Sequence, residues 1–363
     1  MNLKSFALAL LAVVVLAVGA FLGLRESRHE VVMPPTLPSP PASQPRPKLP
    51  APAIPPIQQA EANATPQPSR IKKMLNGEEL LEIRPEQLDG YLAANHRNVA
   101  SLLAAFRLTG NRAFLNEAAE QAPNDPRVAF ESWSRTQDKA ERQKLLETWE
   151  RSNPNNALAT YLAAANLFKS GMTDAALGKL AEAAGKSDFS YFARESVLDC
   201  EEAYEAAGYS DAEAKVAASM ELPLPHLGEL KGMSQNLADL AKAYRIAGDD
   251  ASAQAALNIG FEMAGKMATE PSYLIEDLVQ LAVQNNLLQG LDPNAPSGIP
   301  GKSVQQLQDE AKARREALKA DAQQSAAIFQ NLSDADLAGY CDRIRLFGER
   351  AAIEWFKQKF GPP

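Results

Sequence analysis

The sequence predicts an all-α protein, a stack of helical hairpins preceded by one membrane-spanning helix and a proline-rich linker. The first observation is a phrase that recurs four times, closed by Gly110, Gly171, Gly208 and Gly248. Four residues before each glycine stands a large apolar or aromatic residue: Phe106, Leu167, Tyr204, Tyr244. Eight before stand Leu102, Ala163, Cys200 and Leu240. Five after come Leu115, Ala176, Glu213 and Ala253, and nine after come Ala119, Leu180, Ala217 and Leu257. Twelve after come Ala122, Ala183, Met220 and Gly260, so Glu213 alone breaks the apolar pattern. A recurring helix–Gly–helix unit of this length denotes stacked helical hairpins. The second observation is alanine-rich helical stretches, such as Ala157 to Ala165 and Ala175 to Ala184, since alanine has the highest helix propensity and lets helices approach closely. The third is that no stretch alternates apolar and polar positions with β-branched residues, so a β reading has no support.

Taken in chain order, the 363 residues open on the apolar run Phe6 to Leu24, 19 residues without a polar side chain. As a helix it would be about 28 Å long, close to the thickness of a hydrocarbon core. Two readings compete. Val18-Gly19-Ala20 has the small residues of a signal-peptide cleavage site, but the run continues through Phe21 and Leu22 beyond the usual signal-peptide length. That length favours an uncleaved anchor over residues 1–30. No cysteine follows the run closely enough for a lipoprotein anchor. Lys4 against Arg25 and Arg28 decides little about orientation. A short N-terminal tail places the bulk of the chain outside, in the periplasm of a bacterial inner membrane. The alternative is secretion after cleavage.

Residues 31–70 hold 13 of the 25 prolines and no periodic apolar pattern. Such a segment cannot build a core and reads as a disordered, semi-stiff spacer. Pro47-Lys48-Leu49-Pro50 fits PxxP, which in so proline-dense a stretch reads as spacer. The helical repeat domain spans residues 71–290, and a loop with a C-terminal helical cap spans 291–363. Leu88, Tyr91 and Leu92 share a face of a helix whose first turn holds Pro85, where proline is tolerated. Leu222-Pro223-Leu224-Pro225 makes an extended link between the third and fourth phrases. Ser303 to Phe329 reads as a long polar helix with a narrow stripe of Val304, Leu307, Ala311 and Leu318. The last helix places Leu337, Tyr340, Cys341, Ile344, Phe347, Ala351 and Trp355 at helical spacing, from an N-cap at Ser333 to a stop at Gly361-Pro362.

The phrase resembles the tetratricopeptide repeat. Tyr244, Gly248 and Ala253 match its spacing, with Leu240 and Ala241 one turn earlier. The stretch from Ala157 to Ala184 matches too. Asn153-Pro154-Asn155-Asn156 and Asn124-Asp125-Pro126 look like its inter-repeat turns. The likeness covers about residues 95 to 266 and departs in period, because the glycines are 61, 37 and 40 residues apart where the family keeps 34. The longest gap holds an extra hairpin, Arg127 to Ser152, without the glycine. The resemblance implies a right-handed superhelical stack, a TPR-like α-solenoid, with a groove for a protein or peptide. By that analogy Tyr161, Lys242 and Arg245 fall on the inner side of the first helices. The family's peptide-clamping Lys and Asn pattern does not recur here, so no ligand carries over.

Charge and motifs narrow the function classes. Residues 1–75 carry a balance of +5 and the remainder −13. An acidic folded part repels phosphate backbones and argues against nucleic-acid binding, while the basic tail suits anionic headgroups. Gly298-Ile299-Pro300-Gly301-Lys302-Ser303 ends like a phosphate loop but has Pro296 where the first glycine belongs and no strand ahead of it. His29, His96 and His226 lie far apart, and there is no HExxH or GxSxG. We therefore expect no catalytic residues, no metal and no cofactor. Cys200 and Cys341 read as buried small hydrophobes, with a bridge between them left open. Tyr244→Ala should remove packing worth on the order of 3 kcal/mol. The expectation is a membrane-anchored scaffold binding a protein or peptide. The alternatives are a structural or assembly factor of the envelope, and an enzyme with an unfamiliar helical site.

Overall fold

The four recurrent glycines sit in the left-handed region, with φ of 70° at Gly110, 74° at Gly171, 90° at Gly208 and 78° at Gly248. That conformation strains any residue with a Cβ, so the glycine in each phrase answers a backbone requirement. These values come from a computed structural model, which describes residues 69–267, 273–294, 297, 299, 301–329 and 332–360. The anchor of residues 6–24 and nearly all of the linker lie outside the described residues. No helix among the described residues is long and apolar enough to cross a membrane.

The described chain is all-α. Its helices are α1 (Arg70–Leu75), α2 (Pro85–Ala94), α3 (Val99–Thr109), α4 (Arg112–Gln121), α5 (Pro126–Arg135), α6 (Lys139–Ser152), α7 (Ala157–Lys169), α8 (Thr173–Ala184), α9 (Ala193–Ala206), α10 (Asp211–Met220), α11 (Pro225–Ile246), α12 (Asp250–Lys266), α13 (Leu274–Leu288), α14 (Val304–Phe329), α15 (Asp334–Phe347) and α16 (Glu349–Phe360). Helices α3 to α12 pack as consecutive hairpins. The hairpin expected in the long glycine gap is α5–α6. Glu213 breaks the apolar pattern because it caps α10. Its carboxylate accepts the Ser210 N–H at 3.0 Å, while Ser210 Oγ accepts the Glu213 N–H at 3.4 Å.

The hairpins do not stack in chain order. Helix α7 packs against α11, and α8 against α12, while α9–α10 leaves the row. It lies on α2 and α3 through α9, and on α1 and α15 through α10. The cause is the segment after α8. Asn156 is fully buried and holds this strap through both backbone groups of one residue, donating to Ser190 O at 2.6 Å and accepting Ser190 N–H at 3.1 Å. The Ala157 N–H bonds Asp188 O at 2.7 Å. Phe189 and Tyr191 are buried in the row, and Phe192 takes a φ of 61°, rare for a bulky residue, while packing on Trp149. The strap thus anchors itself in one row and delivers α9 to α3.

Two cores result. One joins α5–α8, the strap and α11–α13. The other joins α1–α4, α9–α10 and α15–α16. Arg107 of α3, Glu131 of α5 and Asp199 of α9 lie where they meet. Arg107 Nε donates to Glu131 at 2.5 Å, with Glu131 fully buried, and Arg107 Nη1 stands 3.7 Å from Asp199. Beside the strap, His226 is fully buried, its ring nitrogens without a hydrogen-bond partner among the described residues, 4.3 Å from the Tyr191 ring.

The stripe of Val304, Leu307, Ala311 and Leu318 on α14 is buried as its spacing indicates. The single last helix is not found. Gly348, at a φ of 83°, divides it into α15 and α16. Beyond the break the buried face shifts to Ala352, Ile353 and Phe356, leaving Phe347 61% exposed and Ala351 exposed. The pair does not close one end of the row but packs along α10. Tyr244 is only partly buried, so its truncation removes less packing than a core position would.

Both cysteines are free, Cys200 buried and Cys341 partly so. Burial pushes each thiol up to about 12. We expect slow reaction with a thiol reagent in the native protein, slower at Cys200 than at Cys341. Full labelling should follow in denaturant without prior reduction. Labelling that needs reduction would reveal a disulfide.

Candidate interaction surface

Helix α11 has 22 residues and α7 has 13, so α11 extends about 33 Å against about 20 Å. Their starts lie on the same side. Lys266 at the end of α12 bonds Lys186 O, just past the end of α8. The last turn of α7, with Ala165 and Lys169, borders the Pro225–Asn236 part of α11. On its other flank, Asn286 near the end of α13 donates to Ser234 Oγ at 2.9 Å. The final turns of α11 and the first turn of α12 therefore overhang both neighbours.

Two of the three residues placed on the inner side by analogy fall on this overhang. Lys242 is exposed and Arg245 partly exposed, and neither pairs with an acid among the described residues. Tyr161 does not line a groove. It is 1% exposed and packs on Phe189 of the strap, and its burial raises the phenol well above its ordinary range. The analogy fails there because a plain repeat has no strap to cover that position.

Sequence reasoning missed Ile246, which is 80% exposed at the tip. The signal was present. Two residues before the other glycines stand Leu108, Lys169 and Ala206, the last two on solvent. A β-branched apolar residue at a solvent-facing repeat position is therefore out of pattern. Met172, 54% exposed, follows Gly171 at the neighbouring hairpin tip.

Below the overhang a shallow groove of about 330 Å³ runs between α7 and α11, floored by Ala165, Gly228, Gly232 and Met233. Glu229 at its rim is held by Arg142 at 2.9 Å and Lys169 at 2.5 Å. Arg142 in turn lies over the Trp133 ring at 4.6 Å, so the charges of the rim are mutually engaged and fixed, whereas Lys242 and Arg245 on the overhang pair with no acid among the described residues. Elsewhere, Glu201, Glu205 and Asp211 come together, but Glu201 pairs with Arg345 at 3.0 Å and Asp211 with Lys215 at 2.8 Å. Lys302 of the phosphate-loop-like segment is taken by Glu310 at 2.6 Å. No family model, no curated protein and no solved structure matches the chain.

Proposed function

We propose that this chain is a membrane-anchored interaction scaffold. In this reading its helical domain is a TPR-like, right-handed stack of hairpins, and it holds a protein or peptide partner by the α11–α12 overhang. The observation that carries the proposal is the overhang itself: Ile246 largely exposed beside Lys242 and Arg245, on a hairpin that runs past both neighbours. An exposed apolar anchor rimmed by unpaired charge is the usual anatomy of a docking surface. The two cations suit an acidic segment. The apolar run Phe6 to Leu24 anchors the chain, and the proline-rich segment gives the domain reach, in the periplasm if the cell is bacterial.

The test uses the full chain in intact cells. It is expected in the membrane fraction after alkaline extraction, and a soluble chain beginning at Phe21 would contradict the anchor. A photo-reactive residue at position 246 should form an adduct with one defined polypeptide. Lys242→Glu with Arg245→Glu should abolish it, whereas the same probe at exposed Lys319 should give none. Equal adducts from both positions, or none from 246, would remove the overhang from the account.

A further inference from the structure

Three carboxyl groups meet at the first turn of α13. Glu276 is 5% exposed, its Oε2 accepts the Tyr273 N–H at 2.8 Å, and the Tyr191 hydroxyl bonds the same carboxyl. Glu349, the first residue of α16, accepts the Leu274 N–H at 2.7 Å and is hydrogen-bonded to the Tyr340 hydroxyl. Asp277 is paired with Arg314 at 2.6 Å and Arg350 at 2.7 Å. The free amides that open a helix need acceptors. Here one acceptor comes from α13 itself and one from α16, so the cap of a helix in the first core is completed by a helix of the second.

The cations around this cap are already engaged. Arg314 of α14 and Arg350 of α16 hold Asp277. Arg345 of α15 holds Glu201 at 3.0 Å and Asp342 at 2.7 Å. The other titratable groups facing the cap are Tyr273 at the N-cap of α13, Tyr191 of the strap with His226 of α11 behind it, and Tyr340 and Cys341 of α15. Glu276 and Glu349 thus meet neutral hydroxyls and amides, and Asp277 sets a negative charge beside both. Buried carboxylates that share a site without a cation favour the protonated form.

We infer that Glu276 and Glu349 form a proton-operated latch, which holds α15–α16 against the start of α13 while protonated and releases it as the two carboxyls ionise. Burial pushes Glu276 up to about 7 and raises partly exposed Glu349 above its ordinary range, so the Glu276 half of the latch works near neutral pH. Each folded-state value lies above its unfolded value, so the closed junction binds more protons than the open one. Closure is strongest in acid and weakens as pH rises toward the folded value.

Hydrogen exchange of the full chain, corrected for intrinsic rates, reads this directly. Between pH 5.5 and pH 8 the opening constant of peptides covering residues 273–281 and 349–356 should rise more than tenfold, a unit of pKa shift being a factor of ten, while α7 stays unchanged. Glu276→Gln and Glu349→Gln, permanently neutral, should flatten that dependence and stay protected at pH 8. A wild-type junction equally protected at both values would overturn the latch, as would variants that keep the full dependence. Carbon-13 titration of glutamate carboxyls in the unmodified chain gives an independent reading should a variant not fold. A glutamate resonance titrating above pH 6, as Glu276 requires, supports the latch, and none titrating above it overturns the latch.

Discussion

Arg107→Ala is expected to cost about 3–5 kcal/mol, among the largest losses available to a single substitution in this chain. The Glu131 side chain is 0% accessible, and among the described residues its ion pair is with Arg107. Removing one partner of a buried pair leaves the other charge uncompensated, which is where a penalty of that size arises. The pair itself is not a strong source of stability, because Arg107 Nη1 and Glu131 Oε2 lack hydrogen-bond partners among the described residues. The double substitution Arg107→Met with Glu131→Met should therefore recover most of the loss. Denaturant unfolding of both variants measures this. A loss below about 1 kcal/mol for Arg107→Ala would mean that Glu131 reaches water.

His226→Phe should change the acid dependence of stability more than stability at neutral pH. Burial lowers the imidazole to about 3 from an unfolded value near 6.5. The unfolded chain therefore binds this proton first. The contribution is intact above pH 6.5 and is lost as pH falls below it, by about 1.4 kcal/mol per pH unit. Glu276 and Asp199, raised to about 7 and about 6, act in the opposite sense, and folded-state protonation of these groups favours the native protein as pH falls. Those carboxyls are common to parent and variant and cancel in the difference. The advantage of His226→Phe over the parent should reach about 3 kcal/mol at pH 4.5, read from urea midpoints. A difference that stays flat from pH 7 to 4.5 would show that His226 is solvated.

The left-handed turns at the four glycines, the α5–α6 hairpin and the α14 stripe were legible because each depends on local backbone preference or on one helical period. Glu213 was visible as an exception, and its capping role needed only Ser210 three residues earlier. The order of the stack was not legible. It depends on Asn156 meeting Ser190 across 34 residues and on Phe189 and Tyr191 leaving a loop for the core. The break at Gly348 was hidden because Phe347, Ala351 and Trp355 continue the helical spacing across it. Of the candidate surface, Lys242 and Arg245 were found by analogy. Tyr161 was misplaced because the strap covers it, and Ile246 emerged only with the relative lengths of α7 and α11.

The overhang exists only if α11 lies beside α7 with their starts aligned and α9–α10 outside the row, so that neighbour relation is the claim to test. Lys169 and Glu229, 2.5 Å apart at their charged ends, can be replaced by cysteine in a chain whose native thiols are free and shielded. A short bis-maleimide should join Lys169→Cys to Glu229→Cys in high yield, and should not join Lys169→Cys to Glu205→Cys on α9. Efficient joining of 169 to 205 with none to 229 would put the fourth hairpin back between its neighbours in sequence and remove the overhang.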